Sequence, residues 1–358
     1  GDNKNKAENT LFNVLLAPKY EFNKSLSLSG LVSYTLNRNA QRYYRPYEGV
    51  PPFAIDELGT VTSKVMSMFA KETNFVGNLQ LDWNHQYGKH GLAAYAGFRY
   101  NYFSYDNSDL STEYTGVTND KNPALSAGSG YQDIKGVNDV WKTLQWYGNV
   151  DYNYMNRYFA TVSLMAESNS RFGENADGLD FCGVKWAIFP SVQLGWLMSN
   201  EKWFPKNAGI DYLRLNAGFD LSGNDDISNY AARTSFTAVK YNGTLMGAQL
   251  TNIGNDKIKW ESTQKLNFGL QAYFLNNRLG VNFDYFIHNT KDLLTLKSFS
   301  NPIGGINNYW CNGGELKNTG YEVTVTAKPV VAKDWRVEVG ASAGHYKNEV
   351  TKLPDGEF

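Results

Sequence analysis

The chain has only two cysteines and four histidines in 358 residues. Nowhere does it run 18 apolar residues in a row. Each shortage excludes something. Cys182 and Cys311 cannot staple a disulfide-dense scaffold; both fall in predicted loops, and one bond or two free thiols are both open. His85, His90, His288 and His345 are scattered without metal-ligand spacing. No HExxH, CxxC or phosphate-binding glycine loop occurs, so the expectation is no enzyme, no catalytic residue, no metal and no cofactor. Charge of one sign is also missing: 34 basic residues meet 35 acidic ones, for a net charge of -1. That balance leaves no footprint for nucleic acid. Without a long apolar run there is no membrane helix.

What the chain does have is aromatic side chains, 15% of all residues, including 24 Tyr and 9 Trp. It also has a period of two. In Leu279 to Ile287, Leu279, Val281, Phe283, Tyr285 and Ile287 share one face and Asn282 and Asp284 the other. In Asn149 to Tyr154, Val150, Tyr152 and Tyr154 alternate with Asn149, Asp151 and Asn153. Such a strand suits a wall with lipid on one side and water on the other. A barrel needs no apolar helix, because each backbone group pairs with the next strand. Tyr and Trp suit its two lipid–water boundaries.

About twelve strands are expected, near 10–22, 25–37, 73–85, 90–103, 143–155, 157–169, 184–198, 210–222, 261–275, 278–292, 316–328 and 334–348. Short links alternate with long ones, near 38–72, 104–142, 170–183, 223–260 and 293–315. One short-side link, near 199–209, is longer and is expected to hold a helical turn around Trp203, Phe204 and Pro205. Pro190 lies inside a predicted strand, which implies a bulge, a bend or an edge. The fold class is therefore all-β: an antiparallel transmembrane β-barrel segment with short periplasmic turns and long extracellular loops. A soluble glycan-binding β-sandwich also alternates, but its strands are commonly about 5–6 residues. Residues 1–358 read as one partial barrel domain. Its polar start at Gly1-Asp2-Asn3-Lys4 and its ending in a turn at Pro354-Asp355-Gly356 suggest a piece of a longer chain.

Several phrases in the second half resemble a known family. Ser170-Arg171-Phe172-Gly173, followed by Phe189-Pro190-Ser191-Val192-Gln193-Leu194-Gly195-Trp196, is similar to the "SSRFG … FPSVSAGW" signature of SusC/RagA-type TonB-dependent outer-membrane transporters. Leu213 to Ala231, Ile258 to Leu294 and Asn312 to Ala327 resemble further phrases of that family, in its order. The set covers about 160–350; residues 1–155 match only in style. The resemblance implies a Gram-negative outer-membrane importer of large nutrients, oligosaccharide or peptide. It implies a SusD-like surface lipoprotein as partner. It also implies energy from TonB–ExbB–ExbD, delivered through an N-terminal region that this chain does not contain. The family's plug and last barrel strands are expected to be absent as well. A passive porin or adhesin barrel is the alternative within the membrane.

In such a barrel, Asp82, Arg99, Asp151, Arg214, Asp220 and Asp284 are candidates to line the lumen, with neighbours such as Asn78, Gln80, Asn149 and Asn216. Trp83, Trp146, Trp186, Trp196, Phe219, Phe268 and Tyr285 are expected to face lipid. Aromatic clusters in the long loops, Tyr43, Tyr44 and Tyr47 in the first and Tyr309 and Trp310 in the last, are candidates for substrate contact by stacking; packing within the loops is the competing role. The acidic loop residues Asp225, Asp226, Glu174, Asp177 and Asp180 read as solvated turns.

Overall fold

The computed structural model describes residues 4–46, 53–55, 59–61, 63–113, 125, 132–205, 209–241 and 245–354. Its strands in chain order are β1 (Lys4–Leu16), β2 (Lys19–Glu21), β3 (Leu26–Arg45), β4 (Phe53–Ile55), β5 (Gly59–Val61), β6 (Lys64–Tyr87) and β7 (His90–Glu113). Then come β8 (Gln132–Tyr154), β9 (Tyr158–Asn169), β10 (Leu179–Phe181), β11 (Val184–Leu197), β12 (Ile210–Asn224), β13 (Ser235–Tyr241) and β14 (Leu245–Asn252). The last six are β15 (Glu261–Phe274), β16 (Leu279–Lys291), β17 (Leu294–Ile303), β18 (Ile306–Asn312), β19 (Glu315–Val331) and β20 (Arg336–Lys352).

The main sheet runs β1-β3-β6-β7-β8-β9-β11-β12-β15-β16-β19-β20, so the path has twelve strands, each beside its predecessor along the path. This is the expected number. The first expected strand, 10–22, is two: β1 ends at Leu16 and β2 starts at Lys19. Pro18 lies in the gap, where it lacks an N–H to give a ladder, and its carbonyl accepts from Gly30 N at 2.8 Å. Pro190 causes no bulge. It stays in register opposite Leu164, and the ladder to β12 starts only at Ser191, so no partner on that side lacks a donor.

The long connections carry strands of their own, contrary to the expectation of loops. β3 runs on to Arg45, and β7 runs on to Glu113. Hairpins β13–β14, β17–β18 and β4–β5 form separate two-stranded sheets. The short links are tight turns. Met155 and Asn156 adopt φ of 57° and 53°, and Leu275, Asn276 and Asn277 lie at 57–58°. Asparagine suits this left-handed region, and Met155 and Leu275 are held there against their preference. The longer short-side link contains a 3-10 turn at Met198–Asn200, a little before the expected position, and a further turn closed by Phe204 N to Glu201 O at 3.2 Å.

The chain divides into two compact units. Unit one holds 1–18, 30–78 and 99–143. Within it β1 pairs β3 from Lys4↔Tyr44 to Leu16↔Val32, and Tyr44, Val65, Ala70 and Thr143 are buried. Unit two holds 19–29, 79–98 and 144–358. Here the faces can be followed strand by strand. One cross-strand row is Val162–Val192–Phe219–Leu266–Ile287. The adjacent row on the opposite face is Ser163–Ser191–Asp220–Lys265–His288–Asn318–Asn348. Val162, Leu194 and Phe268 on the apolar face are 50%, 53% and 48% exposed. A contiguous exposed apolar face of this kind marks a surface that meets a membrane or another protein. Trp186 departs from the expectation of lipid exposure. β10 folds back on β11, and Trp186 is buried there with its Nε1 donating to Phe181 O at 3.0 Å.

Candidate functional site

Two features of unit two stand out: a polar cleft on one face of the sheet and a packed platform built from the long connections. The cleft measures about 420 Å³ and is lined by Asn84, Gln86, Asp151, Asn153, Phe159, Thr161 and Arg214, among others. Pairing places Phe159, Thr161 and Arg214 on the face opposite the apolar rows, with Thr161 one residue from Val162, and Asp151 meets Thr161 there. Arg214 lies 4.8 Å over the Phe159 ring and donates from Nε to Asn216 Oδ1 at 2.9 Å. Gly195 makes room for it: a Cβ there would meet the guanidinium at 2.9 Å. Asp151 accepts from Thr161 Oγ1 at 2.5 Å and from Asn149 Nδ2 at 2.7 Å. The cleft thus offers one cation, one carboxylate and several amides within one polar wall. Such a set hydrogen-bonds neutral polar cargo or another polypeptide surface.

Of the lumen candidates, Asp151 and Arg214 meet in this cleft. Asp220 pairs with Lys265 at 3.6 Å on the same face. Asp284 also lies on that face, opposite Gly269 and Glu322. Asp82 sits in a separate cluster, accepting from Gln80 Nε2 at 2.6 Å, while Tyr147 Oη donates to Gln80 Oε1 at 3.0 Å. Arg99 belongs to unit one, where its Nε donates to Asn78 Oδ1 at 3.4 Å.

The loop candidates are placed differently from the expectation. Tyr43 and Tyr44 lie in β3, not in a loop, and Tyr44 is buried at 5% exposure. Tyr47 lies outside the described residues. Tyr309 stacks on Phe299 with ring centroids 4.8 Å apart. Trp310 packs against the platform core and its carbonyl accepts from Asn255 Nδ2 at 3.1 Å. Packing therefore occupies both rings of the last loop.

That platform was not legible as a unit. Its core is Phe172, Phe189, Ile227, Ala231, Ile258 and Trp260, with Ile258 and Ala231 fully buried and Phe172 4.2 Å from Trp260. The Ser170-Arg171-Phe172-Gly173 phrase supplies three fixings. Arg171 donates from Nε to Asn229 at 2.6 Å and from Nη1 to Asp225 Oδ2 at 3.2 Å. Phe172 enters the core, and Gly173 lets the Asp256 carbonyl approach where a Cβ would collide. Lys259 then bridges two connections, reaching Asp177 at 3.2 Å and Asp292 at 3.1 Å. Burial opposes its ammonium, but the bonds to Asp292 and Asp177 prevail and raise its pKa. Asp177, Asp180 and Asp225 are ion-paired and not simply solvated, Asp180 through Lys185 at 3.2 Å.

At the opposite rim, aromatic rings follow one another along the short turns. Tyr154–Tyr158, Tyr158–Trp196 and Trp196–Trp203 centroids lie 6.3, 6.4 and 6.3 Å apart. Buried Glu201 ties them together, accepting from Tyr158 Oη at 2.5 Å and Trp196 Nε1 at 3.1 Å, with Arg157 at 3.5 Å. The hydrogen bonds from Tyr158 and Trp196 hold its carboxyl below the usual glutamate value. A depressed folded pKa stabilises above the ordinary value and is lost as pH falls through the folded one. Thermal unfolding in detergent is therefore expected to occur at lower temperature once the pH drops below the usual carboxylate range, and Glu201→Ala is expected to flatten that acid limb. An unchanged acid limb in the variant would assign the loss to other carboxylates.

Comparison with known proteins agrees with this geometry. The β-barrel model of the TonB dependent receptor-like family matches residues 1–357. A TonB-dependent receptor of Formosa agariphila is 27% identical over 81% of this chain and 28% of its own length. The TonB-dependent receptor SusC of Bacteroides thetaiotaomicron is 28% identical over 60% of this chain and 21% of its own. The RagAB peptide transporter structure superposes with a TM-score of 0.84 at 23% identity, over 99% of this chain and 38% of that one. The chain spans about a quarter of the curated relatives it matches. It belongs to the TonB dependent receptor-like β-barrel family.

Proposed function

We propose that this chain forms part of the wall of an outer-membrane importer of large nutrients, oligosaccharide or peptide, that works with a SusD-like surface lipoprotein and draws energy from TonB–ExbB–ExbD. The observation that carries this reading is the unbroken polar row from Ser163 to Asn348 behind an exposed apolar face. A wall of this kind separates lipid from a hydrated lumen. Relatives named SusC and RagAB support nutrient import and a lipoprotein partner. The polar cleft around Asp151 and Arg214 is a contact region for a plug or cargo. The wall residues supply shape and hydrogen bonds, not catalysis.

Uptake of fluorescent oligosaccharides and peptides by cells with and without the gene tests this reading. The expected result is uptake of one class that depends on the gene and stops when a protonophore collapses the inner-membrane gradient. Gene-dependent uptake that survives the protonophore supports the passive porin instead. In the same cells, Asp151→Ala with Arg214→Ala is expected to lower uptake several-fold at unchanged protein level. Orientation has its own test. Cys182 is exposed in the β10–β11 turn and Cys311 is buried, and both are free thiols. An impermeant maleimide added to intact cells should label Cys182 and spare Cys311. Labelling of Cys182 only in broken cells would put the long connections on the periplasmic side.

A further inference from the structure

We propose that the apolar face of unit two carries a binding groove for a phospholipid of the inner leaflet, a proposal that rests on the outer-membrane placement given above. The groove arises from two small residues. Ala160 and Ala217 flank Leu194 in one cross-strand row, Ala160–Leu194–Ala217–Phe268. Large apolar side chains fill the neighbouring positions, so the two alanines leave a trough of about 790 Å³ walled by Trp196, Phe268 and Phe283. Leu194 and Phe268 are half exposed, so the trough opens to the medium that covers this face.

Its short-turn end changes character. Tyr158 and Trp196 line the trough with their rings and turn their polar atoms to Glu201. Rings of this kind mark the level of lipid headgroups. Two cations stand at the same rim: Arg157, paired with Glu201, and Lys202, exposed beside Trp203. Trp203 in turn lies 6.3 Å from Trp196. Glu201 pairs with Arg157, which leaves Lys202 as an exposed cation of this link, while Asp211 at the start of β12 is turned to Asn277 N. An apolar trough ending in aromatic rings and an exposed ammonium matches an acyl chain followed by a phosphate. The short-turn rim is the periplasmic one in this reading, which commits the occupant to a phospholipid and excludes lipopolysaccharide.

The test uses the full-length protein that contains this chain, purified from outer membranes in mild detergent. Native mass spectrometry and lipid extraction then count retained lipid. The parent protein is expected to keep one phospholipid, enriched in anionic headgroups. Ala160→Phe with Ala217→Phe fills the trough with apolar groups that a lipid-facing wall tolerates, and retention is expected to fall roughly tenfold. Lys202→Glu, on the exposed rim, is expected to abolish the anionic preference without emptying the trough. Unchanged retention in the filled variant, with normal outer-membrane placement, overturns the proposal alone; so does lipopolysaccharide in place of phospholipid. Absence of the parent protein from the outer-membrane fraction overturns the membrane reading and this proposal together.

Discussion

Phe268→Arg is expected to destabilise the membrane-inserted protein by about 2–4 kcal/mol, the cost of arginine near the middle of a lipid-facing strand. Phe268 lies midway along β15, between Ala217 and Tyr285 in adjacent strands, and is half exposed. Its two neighbours in that row, Ala217 and Tyr285, offer a guanidinium no carboxylate. The matched control is Ser191→Arg. Ser191 stands on the other face, directly opposite Asp220, so the new cation gains a carboxylate neighbour in a hydrated setting. Its expected change is within ~0.5 kcal/mol. Urea titration of the protein refolded into lipid vesicles measures both. Equal losses from the two variants would mean that the faces do not differ in their medium.

The second large effect belongs to the platform. Trp260→Ala removes the ring that Phe172 packs on and opens a cavity beside fully buried Ile258. Truncating a buried aromatic costs about 3–5 kcal/mol. The loss is expected to be local, because the platform joins long connections while the wall is held by its own ladders. Limited proteolysis of intact cells should cut the variant within 170–180 and 225–258 and leave the wall strands whole. The Nε1 bond from Trp260 to Glu167 at 3.4 Å is lost as well, so the end of β9 and the Phe189 segment of β11 are the wall parts expected to loosen. Cleavage spread throughout the wall would show that platform and wall unfold together.

The wall strands were legible because a lipid-facing strand has a strict period of two. β9, β12, β15 and β16 start and end within about two residues of expectation. The expected strands fell short where that alternation fades. From Asn37 to Arg45 polar residues occupy both faces, yet β3 extends through them. Backbone pairing continues beyond the apolar band without an apolar face to announce it.

Site residues divide similarly. Positions fixed by alternation, such as Asp220 opposite Lys265, could be read from β12 and β15 separately. Contacts between distant segments could not. Nothing local joins Phe172 to Trp260, Arg171 to Asp225, or Lys259 to Asp177. The family phrases did mark these segments, which is why Gly173 and Arg171 carry structural duties. Glu201 gave no signal: a lone glutamate in a turn reads as solvated until Tyr158 and Trp196 are seen to close on it.

If each wall strand separates lipid from water, spin labels along β15 will report the two media in turn. Cys182 and Cys311 are first replaced by serine. Single labels are then placed at 265 to 271 in the protein reconstituted into lipid. Collision with dissolved oxygen reports lipid, and collision with a water-soluble nickel chelate reports water. Oxygen access is expected at Leu266, Phe268 and Leu270 and chelate access at Lys265, Asn267, Gly269 and Gln271, a period of two along the strand. Chelate access at all seven positions, or no alternation, would contradict it.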